Sequence, residues 1–140
     1  MDRLSPSESE TFAIDFETRY SKDYSLKDIP TWSYVNDPRF EAYLLSVAGP
    51  GSFVWVGAPK DFDWAALAGK TVVAHNAGFD GLVRKRLVED GVVPAVEFRE
   101  FHCTADMAAY FKLPRALKDI AQFVFKLPDL AQDGRNAREK

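Results

Sequence analysis

The sequence predicts a mixed α/β layer in which antiparallel strands come first and helical crossovers follow. Three observations predict it. Residues 11–17 alternate apolar and polar side chains as a strand does; Gly49-Pro50-Gly51 links two further strand-like runs; and from Lys70 onward short apolar runs alternate with segments of helical spacing.

The first run sets Phe12, Ile14 and Phe16 on one face and Ala13, Asp15 and Glu17 on the other. Three large apolar residues mark a central strand, whose second face is then expected to be covered as well. Residues 19–38 turn to Ser, Asp, Lys, Tyr and two prolines and read as an irregular excursion. Residues 41–48 and 52–56 form the next strands, paired through the glycine-proline-glycine turn as a tight hairpin. Residues 61–68 predict a short helix with Trp64 and Leu67 on one side and Gly69 just past its end. Residues 70–75 return as a strand. Residues 79–90 carry apolar side chains at 79, 82, 83, 87 and 88, one helical face, and Gly91 stops it. Residues 96–103 read as a further strand, after which Thr104 is placed to cap a helix running to Phe111. Past Leu113-Pro114, residues 117–125 repeat a helical pattern, and the tail from 129 to 140 is polar and basic. Residues 1–10 are polar and acidic, a lead-in expected to be disordered.

With 140 residues and 46% hydrophobic content, the chain suits one domain with a real core, spanning residues 11–128. A net charge of -3 gives no sign of the basic surface expected of a nucleic-acid binder, although a carboxylate site awaiting divalent cations lowers the formal charge by itself. No apolar run approaches the roughly 18 residues of a membrane span. The single Cys103 cannot form an intrachain disulfide, so a reducing, cytoplasmic setting is expected.

The chemistry-bearing residues gather at two places. Asp15 and Glu17, two positions apart on one strand, project to the same side with backbone origins about 7 Å apart, a spacing suited to a shared metal pair. The alternative for these two is a pair of exposed acids on an edge strand. The second place is His75-Asn-Ala-Gly-Phe-Asp80, where a strand ends and a helix begins, the position at which open α/β sheets collect ligands. Taken singly, Asp80 can serve the helix dipole, Asn76 can cap the helix, Phe79 can belong to the core, and His75 reads as structural. Taken jointly, Asp15, Glu17 and Asp80 make an oxygen-rich set suited to magnesium or manganese and not to zinc.

These residues resemble the DEDD superfamily of 3′-5′ exonucleases, especially the proofreading domains of phage-type family A DNA polymerases. Ala13-Ile-Asp-Phe-Glu-Thr18 is similar to the first motif of that family and Asn76-Ala-Gly-Phe-Asp80 to the second. The segment Trp32-Ser-Tyr-Val-Asn-Asp-Pro-Arg-Phe-Glu41 resembles the family's passage into the next strand. Cys103-Thr104 and Leu113-Pro-Arg-Ala-Leu-Lys-Asp-Ile-Ala121 resemble the helical part that follows. The likeness runs from about Thr11 to about Leu127.

The resemblance implies an RNase H-like mixed sheet flanked by helices, incomplete at its C-terminus. It implies that Asp15, Glu17 and Asp80 are catalytic and hold two divalent ions, Mg2+ or Mn2+, and that Thr18, Asn76 and Phe79 touch the 3′ end of single-stranded DNA. The implied reaction is hydrolysis of the terminal phosphodiester by in-line attack of water, with attacking and leaving oxygens clamped by the ions. The family also carries a third motif, Tyr-x-x-x-Asp or His-x-x-x-x-Asp, on a late helix. Tyr24 and Asp28 have the literal spacing but precede the second motif, His102 and Asp106 follow it too closely, and Asp119, Asp129 and Asp133 lack a Tyr or His at the right offset. The implied partners are therefore a polymerase or the remainder of a split polymerase that supplies the missing acid, in the host cytoplasm if the chain is phage-encoded. A second expectation is a catalytically silent module that binds nucleic acid or docks on a replication partner. A third is a fragment with exposed apolar helix faces.

Overall fold

The computed structural model describes residues 10–126; the predicted lead-in and the basic tail lie, but for Glu10, outside the described residues. These fall into two compact units, one ending at Cys103 and one beginning at Thr104. The first holds a mixed sheet of β1 (Thr11–Thr18), β2 (Ala42–Gly49), β3 (Phe53–Gly57), β4 (Thr71–Ala74) and β5 (Glu100–Cys103), in the order β3-β2-β1-β4-β5. β1 and β2 pair antiparallel, as do β2 and β3, whereas β4 lies parallel to both β1 and β5. The hairpin and the later crossovers thus stand where the sequence puts them.

One sheet face builds the core. Ile14 and Phe16 of β1, Leu45 and Val47 of β2, and Val72 and Ala74 of β4 are buried together with Val83 and Leu87 of a helix α2 (Ala77–Glu89). Phe16 stacks on Trp64, whose indole N–H donates to the Pro59 carbonyl at 2.8 Å. The other face differs from expectation. Ala13, Asp15, Glu17, Ala48, Val54, Val56 and His102 are exposed, and the register places them on one side, through Asp15↔Ser46↔Val56, Ala13↔Ala48↔Val54 and Ala13↔Val73↔His102. β1 is central by pairing, yet among the described residues of the first unit only one of its faces is covered.

Three other elements depart from the sequence reading. The segment predicted as a short helix at 61–68 is two 3₁₀ turns, Pro59–Asp61 and Trp64–Leu67. With Phe62 and Trp64 both drawn into the core from one short stretch, the backbone breaks between them in extended conformation. The strand predicted over 96–103 is confined to Glu100–Cys103, because its partner β4 starts at Thr71. Before that point the chains are tied by Gly69 N–H to Glu97 O and Arg99 N–H to Lys70 O, with Gly69 at φ +70° turning one of them away. The excursion contains a one-turn helix α1 (Thr31–Val35) that buries Tyr34 and Val35. It is held by side chains: Tyr24 stacks on Tyr34 at 4.5 Å and donates to the Tyr34 carbonyl, while Arg86 of α2 reaches the Val35 and Asp37 carbonyls.

The second unit contains α3 (Thr104–Tyr110) and α4 (Leu117–Phe123), with an Arg115–Asp106 ion pair at 2.7 Å. Met107, Tyr110, Phe111, Leu117 and Phe123 are exposed, and α4 buries none of its residues. No described helix is long and apolar enough to cross a membrane.

Candidate active site

Strand alternation buries Ile14 and Phe16 and leaves Asp15 and Glu17 exposed on the opposite face. β1 outruns its parallel neighbour: pairing with β4 ends at Ala13↔Val73. Beyond that point the Phe16 amide finds its acceptor in the Asp80 carboxylate, with N to Oδ1 at 3.2 Å. The first turn of α2 is thereby fastened to the backbone between Asp15 and Glu17. Asp80 is 2% exposed, the one buried charged residue described.

The three carboxyl groups act on one another. Burial pushes Asp80 up to about 7; the charges of Asp15 and Glu17 add to this, while the amides of Phe16 and of Asp80 itself work against it. Glu17 is also raised, first by burial, then by the Asp15 charge and by hydrogen bonding with Asp15. This mutual pressure is relieved by a proton or by a cation. The donor set is all oxygen, which fits Mg2+ or Mn2+. Among the described residues, no group of three Asp, Glu, His or Cys side chains, these three included, is placed so that it could hold a metal ion together.

Beside the acids lies an open cavity of about 600 Å3 whose walls include Glu17, Thr18, Tyr20, Lys22, Lys27 and Phe79. Three of the six residues expected at the site, Glu17, Thr18 and Phe79, thus share one cavity, while Asp15, Asn76 and Asp80 are not among its lining residues. Phe79 is half-buried, packed against the core, with its ring 6.3 Å from that of Tyr34. It serves the core and the cavity wall at once. Asn76 stands apart. It occupies the N-cap position of α2 but makes no side-chain cap bond, and its φ of +67° lies in the left-handed region, which Asn adopts more readily than most residues other than glycine. The capping explanation therefore fails for it. Its carbonyl receives the Phe79 amide at 2.9 Å while its side chain is exposed.

Sequence reasoning missed Tyr20, Lys22, Lys27 and Tyr34, all in the excursion. Their clustering of Tyr and Lys was visible but had no period to place it. Lys22 and Lys27 are exposed and make no ion pair among the described residues, so the cavity wall carries two positive charges along with Glu17 and Asp28. The Tyr34 hydroxyl donates to the Arg19 carbonyl and lies 2.8 Å from Thr18 Oγ1.

Of the residues considered for a third motif, Asp28 lines the cavity beside Glu17, Asp129 and Asp133 lie outside the described residues, and Tyr24, His102 and Asp106 make contacts of their own. Tyr24 is buried with its hydroxyl donating to the Tyr34 carbonyl at 2.6 Å, and burial pushes it up to about 12. His102 contacts Glu100 at 3.2 Å, and Asp106 contacts Arg115. The sequence matches no protein-family model and no curated protein.

Proposed function

We propose that this chain is the metal-binding part of a proofreading-type 3′-5′ exonuclease domain with an RNase H-like sheet, acting on single-stranded DNA in the cytoplasm. The observation that carries the reading is the fastening of Asp80 to the backbone between Asp15 and Glu17, beside a cavity large enough for a terminal nucleotide. The mixed sheet, with β2 alone running against its neighbours, supports the fold part of the proposal.

In this reading Asp15, Glu17 and Asp80 hold two divalent ions, Mg2+ or Mn2+. When bound, the ions supply Lewis acidity at the attacking and leaving oxygens of the scissile phosphodiester. Asp80 keeps its place through the Phe16 amide, so its carboxylate is oriented before any ion arrives. Thr18 and Phe79 receive the terminal nucleotide, Asn76 offers its amide to the strand, and Lys22 and Lys27 face the phosphates. A further segment or a partner chain, such as a polymerase, supplies the remaining acid and the residue that orients water. The wild-type chain alone is then a poor nuclease, since loss of a positioning group removes on the order of a hundredfold or more in rate.

The test is digestion of a 5′-labelled single strand in magnesium, with Asp15→Ala as control. Slow shortening from the 3′ end, abolished by the substitution, supports the exonuclease. Strand binding that persists fully in excess chelator, with no cleavage, supports the silent binding module instead.

A further inference from the structure

The β1–β2 ladder skips one residue near the mouth of the cavity. Glu17 faces Leu44 and Thr18 faces Ala42, so Tyr43 is left without a cross-strand partner. Alternation with the buried Leu45 and Val47 assigns Tyr43 to the core face, yet it is 51% exposed. A bulge of this kind re-aims the side chain it carries, and bulges are frequent beside active sites for that reason. Tyr43 lines a second, smaller cavity of about 240 Å3 together with Thr18, Arg19, Tyr20 and Glu41. Thr18 and Tyr20 also line the larger cavity, so the two are neighbours along one wall.

The smaller cavity combines a fixed wall with open rings. Arg19 N–H donates to Glu41 O at 2.8 Å, the Arg19 carbonyl receives the Tyr34 hydroxyl, and Ser21 and Tyr24 exchange both of their backbone bonds. Tyr20 therefore stands on backbone pinned at both of its neighbours. It is 77% exposed, and neither it nor Tyr43 meets another aromatic ring among the described residues. Two rings with open faces on a rigid wall make a platform for a flat, uncharged group, and a single strand carries one on every nucleotide. The charges divide the roles. Glu41 makes this cleft unsuited to a phosphate, whereas Arg19, exposed and without an ion pair among the described residues, offers a cation at its rim.

We propose that Tyr20 and Tyr43 form a second nucleotide subsite, which stacks on the base next to the terminal one while Arg19 holds the phosphate between the two nucleotides. The inference rests on the exonuclease reading of the larger cavity and adds to it the path by which the strand leaves, past Tyr20 and over the start of β2. Every base has a π face, so the subsite contributes affinity without choosing a sequence. A single nucleotide fills only the larger cavity. Affinity therefore rises steeply from one nucleotide to two and little thereafter.

The experiment measures binding by fluorescence anisotropy of short 5′-labelled oligodeoxyadenylates, with the full chain in magnesium, as a single abasic site is moved inward from the 3′ end. For the wild type, an abasic site at the second position is expected to weaken binding by on the order of tenfold, and one placed further in to change little. Tyr43→Ala and Tyr20→Ala lower affinity for the intact strand and erase the penalty at the second position, while Tyr43→Phe keeps both as in the wild type. A loss of packing alone weakens all strands in proportion and leaves the penalty where it was. Should Tyr43→Ala fold poorly, Tyr43→Thr removes the ring with a residue that suits a strand. An abasic second position that binds the wild type as the intact strand does, or a penalty unmoved by loss of either ring, overturns the inference and leaves the exonuclease reading standing. No binding of any strand in magnesium removes both.

Discussion

Replacing Asp80 by Asn is expected to stabilise the metal-free protein at pH 8 while weakening its response to divalent ions by roughly tenfold or more. Asp80 is 2% exposed and its acidity is displaced from an ordinary 3.8 to about 7, first by burial and then by Asp15 and Glu17. Between pH 4 and 7 the folded chain keeps a proton that the unfolded chain has released. Stability therefore falls as pH rises through this window and levels off above it. The displacement corresponds to on the order of 4 kcal/mol at most. The Asp80→Asn substitution removes the charge and keeps an acceptor for the Phe16 amide, at a cost of about 1–3 kcal/mol if the new amide's own N–H groups are poorly met. The net gain is roughly 1–3 kcal/mol, or several degrees in Tm. Thermal melts of both proteins at pH 5 and pH 8, in chelator and in 5 mM magnesium, read it (the concentration is about what saturates millimolar sites). The gap is expected to open at pH 8, close at pH 5, and shrink in magnesium because the wild type gains more. An Asn variant that is less stable at pH 8 by as much as at pH 5 would refute the reasoning.

Four further outcomes follow from the same contacts. Lys22→Gln combined with Lys27→Gln should weaken single-strand binding and lower its salt slope by about 1.4, the value for two phosphates, as read by anisotropy between low and moderate salt. Arg86→Met loses its bonds to the Val35 and Asp37 carbonyls and its place over Phe40, and should cost about 2–3 kcal/mol in urea unfolding. Gly49→Ala would set a Cβ 2.5 Å from the Phe12 ring and should destabilise by roughly 1–3 kcal/mol in the same assay. Tyr34→Phe should cost about 1–2 kcal/mol, since the Arg19 carbonyl and the Thr18 hydroxyl lose their partner.

What was legible in the sequence is what local periodicity governs. The alternation in β1 announced both the buried Ile14 and Phe16 and the shared side of Asp15 and Glu17; Gly49-Pro50-Gly51 announced the hairpin; and apolar spacing before Gly91 announced α2. The placement of Asp80 at the start of α2 was legible too, but its bond to the Phe16 amide was not, because it joins residues 64 apart and depends on β4 ending early. The excursion carried no period, since Tyr24, Tyr34 and Arg86 hold it through side chains reaching carbonyls across the fold. Its share of the cavity wall was invisible for the same reason. The open second face of β1 was misread because burial of one face was extended to the other, where alternation itself had already placed two acids.

The most direct test of the central claim is manganese binding, followed by loss of the free-ion paramagnetic resonance signal on titrating the wild-type chain, Asp15→Asn, Glu17→Gln and Asp80→Asn. If Asp15, Glu17 and Asp80 share one metal site, the wild type takes up manganese and each variant is weakened by roughly tenfold or more. Equal uptake by all four proteins, or none by the wild type, would contradict it.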